Sequence, residues 1–245
     1  MKQISKTRKL IGNCLCIVLL VVVSFMAYLY HCSNSNKIYN VVIEGKVNTM
    51  WGEGNFVGSG VLISGDGLVL TAGHCVKDAT HLRVTLPDGR VFDVDANSCY
   101  KDPNSDTGLI KLPTTVKNYI NLADSNDVKS GDVIYNIGNA KGIWDGKVFY
   151  GWVYRNHFKR IFLGDKTEFI FAKMYIYQGC SGGGVFHYNK LIGIVVMSDG
   201  GYATFIVPSN VCSRVVKDYR SKQATKTYLD YWWIRSAILN EVGIR

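Results

Sequence analysis

Proline is scarce in this chain, four residues against 25 glycines in 245, and acidic residues are missing altogether from the first thirty positions. No internal repeat of fixed period and no low-complexity stretch occurs, which excludes a repeat array. Few prolines with many glycines favour a body of short strands and turns. The seven cysteines form no clean framework: Cys14 and Cys16 fall in a long apolar run, leaving Cys32, Cys75, Cys99, Cys180 and Cys212, an odd set. At least one of these is free or pairs between chains. The formal charge of +9 sits at the two ends, with Lys2, Lys6, Arg8 and Lys9 unopposed at the start and seven basic against three acidic residues in 213–245. The body between is nearly neutral, which argues against a nucleic-acid or other polyanionic partner.

Leu10 to Tyr30 is a run of 21 residues without charge, broken only by Gly12, Asn13 and Ser24. At about 1.5 Å per residue, a helix of that length spans the ~30 Å hydrocarbon layer. A cleaved secretory signal is the alternative, but its apolar part is only about 7–15 residues and ends in a small-x-small site. Phe25-Met26-Ala27 offers one small residue, and in Leu29-Tyr30-His31-Cys32 His31 stands where a lipoprotein site needs a small one. The run 10–30 therefore reads as an uncleaved transmembrane signal-anchor. Residues 1–9 form a basic cytoplasmic tail, and the remainder is extracytoplasmic, periplasmic or extracellular, because basic residues cluster before the run. The polar string from His31 to Lys37 reads as a tether, making 31–38 a linker.

From Tyr39 to Pro208 short apolar or alternating runs are punctuated by glycine, asparagine and aspartate. They include Val41–Val47, Val57–Ile63, Leu68–Leu70, His81–Leu86, Gly108–Leu112, Val133–Ile137, Val148–Tyr154, Leu191–Met197 and Ala203–Val207. Such spacing predicts an all-β antiparallel sandwich or barrel rather than an α/β fold. After Pro208 the period changes. Ser209-Asn210 caps a helix through Val211, Val215, Val216 and Tyr219. A second helical stretch, Tyr228 to Val242, puts Tyr231, Ile234, Ile238 and Val242 on one face and adds Leu229, Trp232 and Trp233. Residues 39–222 thus form the main domain and 223–245 an amphipathic, aromatic-rich helix. That helix either packs on the barrel or touches the membrane surface.

Three segments carry chemistry: Thr71-Ala72-Gly73-His74-Cys75, Asp106-Thr107-Gly108-Leu109-Ile110 and Gly179-Cys180-Ser181-Gly182-Gly183-Gly184. A serine hydroxyl is a poor nucleophile until a base of near-neutral pKa takes its proton, which histidine supplies. A carboxylate on the far imidazole nitrogen fixes the tautomer and stabilises the imidazolium. His74, Asp106 and Ser181 are the candidates for base, carboxylate and nucleophile. A sharp glycine turn would aim the N–H groups of Gly179 and Ser181 at one point, an oxyanion hole. Taken singly, these strings suit a packed histidine, a turn cap and a flexible loop; their joint order favours catalysis.

At these residues the chain resembles the trypsin-like serine endopeptidases of the chymotrypsin fold, and within them the HtrA/Deg branch. Gly58-Ser59-Gly60-Val61-Leu62-Ile63-Ser64 with Gly65 to His74 resembles that branch around its histidine. Ile137-Gly138-Asn139-Ala140 and Ala203 to Asn210 resemble its inter-barrel strand and the strand closing its specificity pocket. The resemblance covers about residues 40–215. It implies two six-stranded antiparallel β-barrels, His74 and Asp106 coming from the first and Ser181 from the second. It also implies polypeptide substrates and no metal or cofactor, and it leaves homo-oligomer formation open. Tyr175 would floor the primary pocket, with Val196, Met197, Ser198 and Thr204 as its walls. None is charged, so cleavage after small or medium apolar residues is expected.

The chain departs from the pattern in several places. Cys180 stands where the branch has Asn or Asp, and Gly184 replaces a proline. Cys75 lacks its usual disulfide partner, because that position is Gly58, and no PDZ module is expected after Pro208. Viral relatives use cysteine, but at the position Ser181 holds here; Cys180 lies one residue early and reads as a packed thiol. The sequence thus predicts a membrane-anchored serine endopeptidase acting on extracytoplasmic proteins. The alternative is a catalytically silent trypsin-fold protein that binds peptides or a partner.

Overall fold

The apolar runs form thirteen strands in the computed structural model, which describes residues 2–49, 52–77, 79–142, 146–159 and 168–241. All nine runs predicted above are strands. The first seven are β1 (Asn40–Thr49), β2 (Gly52–Ser64), β3 (Leu68–Ala72), β4 (Ala79–Thr85), β5 (Val91–Val94), β6 (Tyr100–Lys101) and β7 (Thr107–Lys111). They make one antiparallel sheet in the order β5-β4-β1-β2-β3-β7-β6. The rest are β8 (Val133–Gly138), β9 (Lys147–Lys159), β10 (Glu168–Met174), β11 (Gly184–His187), β12 (Lys190–Ser198) and β13 (Ala203–Pro208). These close into a six-stranded barrel, β10-β13-β12-β11-β8-β9.

The second unit is therefore the expected barrel, whereas the first is a seven-stranded half-barrel whose ladder does not close. Its edge strands β5 and β6 are consecutive in the chain and joined through a 3-10 turn, Ala96–Ser98, and β6 is only two residues long. The turn bridges the gap that a ladder would otherwise close.

Period-two burial sets both cores. Ile134, Val153, Ile170, Ala172, Met174, Val185, Ile192, Val195 and Ile206 fill the barrel. Val41, Ile43, Leu62, Val69, Leu82, Val84 and Ile110 fill the half-barrel. Each fully buried Val, Leu, Ile or Met among them contributes roughly 1.5–3 kcal/mol before entropic costs. A third cluster, including Val61, Leu70, Ile137, Phe186 and Ile194, spans the junction and fixes one unit against the other.

Two helices flank the sheets. α1 (Lys2–Asn36) is continuous across both the apolar run and the polar string after it. Side chains 11–28 are exposed, but Leu29, Cys32, Ser33 and Asn36 are buried at the i, i+3, i+4, i+7 spacing of one helix face. The expected tether is thus a docked helix end. Asn36 Nδ2 donates to Tyr135 Oη at 2.8 Å, and Ser33 Oγ lies 2.8 Å from Tyr150 Oη. Tyrosine hydroxyls satisfy the polar face that composition alone assigns to solvent. α2 (Ser209–Glu241) is likewise one helix where two stretches were expected. Cys212 and Val215 bury it in the junction. The apolar face expected from Tyr231, Ile234, Ile238 and Val242 rests on side chains that lie outside the described ones.

Candidate active site

β3 delivers the histidine. It pairs with β7 so that Ala72 faces Thr107, which brings the residues just beyond that rung, Gly73-His74 and Asp106, together. A 3-10 turn, Gly73–Cys75, then lifts His74 out of the sheet. His74 Nδ1 lies 2.7 Å from Asp106 Oδ2, and its backbone N–H donates to Asp106 Oδ1 at 2.8 Å. The approach needs a glycine: a Cβ at Gly73 would stand 2.9 Å from Asp106 Oδ1. Asp106 is itself held by a turn in which Asp102 N–H donates to Thr107 O at 2.9 Å and Ser105 Oγ donates to Asp102 Oδ2 at 2.6 Å. Arg214 of α2 closes this support, with Nη2 3.1 Å from the buried Asp102 carboxylate.

Burial pulls the His74 pKa down, but the hydrogen bond to Asp106, reinforced by Cys75, outweighs it and raises the pKa above its usual 6.5. The pair is set to stabilise an imidazolium.

Ser181 lies on the loop between β10 and β11, straddling the two units. Its carbonyl accepts from Ser59 N at 2.8 Å on the half-barrel side, and Gly182 N donates to Val195 O at 2.7 Å in the barrel. The Cys75 thiol points at the same Ser181 carbonyl, at 3.8 Å. Ser181 therefore sits against the turn that carries His74. Its Oγ makes no hydrogen bond among the described residues.

The loop uses its amides unevenly. Cys180 N donates to Tyr177 O and Gly183 N to Cys180 O. The N–H groups of Gly179 and Ser181 have no acceptor among the described residues, and those are the two expected oxyanion donors. Gly179 takes φ +97°, and its carbonyl accepts from Ser59 Oγ at 2.6 Å. That hydroxyl in turn accepts from Asn139 N at 2.8 Å. Sequence reasoning missed Ser59 and Asn139 as supports of the loop, because the two bonds reach across 120 and 80 residues. A cleft of about 310 Å³ opens beside Gly179, lined by Phe56, Val57, Lys141 and Gln178 among others. Cys180 points the other way, into the barrel core, where burial pushes its thiol up to about 11. A neutral, enclosed thiol is no nucleophile.

The expected pocket residues divide. Tyr175 is exposed, its ring 5.0 Å from that of Tyr177 and 5.8 Å from that of Tyr202. Met197 and Ser198 are half-buried, while Val196 sits at a break in the β12–β13 register and is buried. Thr204 is fully buried and donates to Met174 O at 2.7 Å, so it braces the wall from behind.

All seven cysteines are free thiols. A Cβ at Gly58 would lie 3.7 Å from Cys75 Cβ and 2.9 Å from its Sγ, within the geometry of a disulfide. Gly58→Cys is expected to form a bond with Cys75 on mild oxidation, closing the 58–75 loop and adding about 3 kcal/mol. Thiol titration should count two fewer thiols than in the reduced variant; an unchanged count would refute the geometry.

Two packed antiparallel β units, with a histidine–aspartate pair on one and a glycine-bound serine on the other, define the chymotrypsin-like class of fold. The chain belongs to the trypsin-like peptidase domain family, whose model matches residues 58–194. Its relatives are DegP/HtrA serine endoproteases. The periplasmic serine endoprotease DegP of Escherichia coli K12 is 34% identical over 196 residues, 76% of this chain and 39% of that protein. A probable DegP-like periplasmic serine endoprotease of Chlamydia pneumoniae is 30% identical over 179 residues, 70% of this chain and 36% of that protein. The chain thus spans well under half the length of either. Among solved structures, the HtrA-type protease AlgW with a tripeptide superposes with a TM-score of 0.68 at 24% identity, covering 77% of this chain and 62% of that one. At that identity the likeness concerns the fold.

Proposed function

We propose that this protein is a membrane-anchored serine endopeptidase that cleaves extracytoplasmic polypeptides with Ser181, His74 and Asp106. The observation that carries the reading is the His74–Asp106 pair on the turn against which the Ser181 loop is seated, where the amides of Cys180, Gly182 and Gly183 are used and those of Gly179 and Ser181 have no acceptor among the described residues. Ser181 Oγ attacks the scissile carbonyl carbon as His74 Nε2 takes its proton. The Gly179 and Ser181 N–H groups receive the tetrahedral oxyanion. The imidazolium, held by Asp106, returns that proton to the leaving amine, and water then repeats the sequence on the acyl-enzyme. Substrate pairs as an added strand along Val196–Ser198. Tyr175, Met197 and Ser198 carry no charge, which favours a small or medium apolar residue before the cut; a cleavage profile dominated by Lys or Arg would contradict that preference.

The family membership supports the chemistry. The exposed apolar stretch of α1, the one described helix long and apolar enough to cross a membrane, supports the anchor. Basic residues before it support a cytoplasmic N-terminus. A fluorophosphonate probe tests the nucleophile directly. Folded wild type is expected to label and Ser181→Ala is not; an unlabelled, folded wild type would favour a silent peptide-binding protein.

A further inference from the structure

We propose that the outer aromatic face of the barrel, centred on Trp152 and Tyr154, rests on the headgroup layer of the membrane that holds α1. The inference builds on the anchor reading above and adds a second, peripheral contact to it. β9 turns Val153 inward and Tyr150, Trp152 and Tyr154 outward, leaving these three rings 43%, 51% and 53% exposed. Phe171 extends the layer onto β10, its ring 5.3 Å from Tyr154 and 5.4 Å from Phe158.

The ladder register shows which way this stripe runs. Phe186, Tyr135 and Tyr150 share one rung across β11, β8 and β9, and Val133 pairs with Trp152 two residues further along. α1 follows the same direction. Its Ser33 touches Tyr150 on the first rung. Its Tyr28, more than a turn back toward the N-terminus and inside the apolar run, meets the ring of Tyr188 at 5.9 Å. Tyr188 adjoins His187, whose Nδ1 reaches Val133 O at 3.0 Å on the second rung. At about 1.5 Å per helical and 3.3 Å per strand residue, Ser33 to Tyr28 and Tyr150 to Trp152 cover nearly equal distances. Trp152 therefore stands level with the point where α1 leaves the protein, and Tyr154 lies one step beyond.

The chemistry of the face suits that depth. Tryptophan and tyrosine rings prefer the interface between headgroups and acyl chains. Lys173 Nζ lies 5.5 Å above the Tyr154 ring, and Arg155 and Lys159 are exposed on the same hairpin. The neighbouring Glu168 is already paired with His157 and Lys159, so anionic headgroups meet little opposing charge.

The full chain, reconstituted in phosphatidylcholine–phosphatidylglycerol vesicles carrying a phosphatidylcholine with a diazirine near its glycerol, tests this by photolysis and peptide mass spectrometry. Lipid adducts are expected on α1 and at Trp152 and Tyr154, but not at Tyr175, Tyr177 or Tyr202, exposed rings past the Met174 end of β10, on the side of the Trp152 rung away from Tyr154. In the double variant Trp152→Glu, Tyr154→Glu, the β9 adducts should disappear while those on α1 persist. Adducts on α1 without any on β9 would overturn this inference and leave the anchor standing; none on α1 would overturn both. With an amine-reactive cross-linker added to the same vesicles, chain-to-chain cross-links through Lys159 or Lys173 in place of lipid adducts on β9 would assign the face to a second copy and equally overturn it.

Discussion

Ser181→Ala is expected to lower kcat on a peptide substrate by about 10⁶-fold, and His74→Ala by a comparable amount. Combining the two should add almost nothing. A base without a nucleophile, or a nucleophile without its base, leaves only what the oxyanion donors and binding supply, so the losses do not sum. Asp106→Asn should cost about 10⁴-fold, because an amide cannot hold the His74 tautomer or stabilise the imidazolium. The same variant carries a pH signature. In wild type the Asp106 hydrogen bond raises the His74 pKa above 6.5, which favours the protonated ring. Catalysis needs the neutral ring, so kcat/KM should rise with pH along a limb lying on the alkaline side of 6.5. Removing the carboxylate should move that limb downward. Steady-state profiles of wild type and Asp106→Asn decide the matter; a limb that stays put or moves upward would deny Asp106 its role.

The parts of the molecule legible in the sequence are those whose signal is local. Alternating runs announced β1, β8 and β9, and glycine-flanked motifs announced the turns carrying His74 and Ser181. β10 escaped notice because both of its faces are apolar. Ile170 and Ala172 point into the barrel while Phe169 is buried in the junction cluster and Phe171 stacks on Phe205, so no alternation survives. β6, with two residues, and β11, which begins at a glycine, are too short to show a period.

The docked end of α1 was illegible for another reason. Ser33 and Asn36 look solvent-bound until Tyr150 and Tyr135 are placed against them by strands about 100 residues away. The helix α2 misled in the opposite sense, since a polar stretch with no proline or glycine between Ser221 and Thr227 simply continues the helix. At the site, each proposed catalytic side chain was visible in the sequence, but its supports were not. Ser59 and Asn139 behind Gly179, and Arg214 behind the Asp106 turn, are ordinary polar residues until the fold brings them there.

Gly182→Ala is expected to destabilise the protein by about 3–5 kcal/mol, a Tm loss of roughly 10 °C, and to abolish turnover. Gly182 takes φ +82°, a conformation that costs an alanine on its own account. The larger cost comes from its neighbours. A Cβ there would stand 2.1 Å from Ser59 O, 2.2 Å from Thr71 Oγ1 and 2.8 Å from Ala72 N. Thr71 Oγ1 is already committed to Ser59 O at 2.7 Å, and both belong to strands of a buried ladder. No flexible side chain can swing aside, so the Ser181 loop must lift from the half-barrel. Lifting it breaks the Ser59 N–H bond to Ser181 O and separates Ser181 from the turn that carries His74. Gly89→Ala isolates the backbone contribution. Gly89 has nearly the same φ, +85°, but a Cβ there would meet nothing within 4 Å. That variant should lose only about 1 kcal/mol and keep full activity, since its turn lies far from the triad. Thermal unfolding and turnover measured on both variants separate the two causes. If Gly182→Ala proves no worse than Gly89→Ala, the close seating of the serine loop against β2 and β3 is wrong, and with it the means by which the fold brings Ser181 to His74.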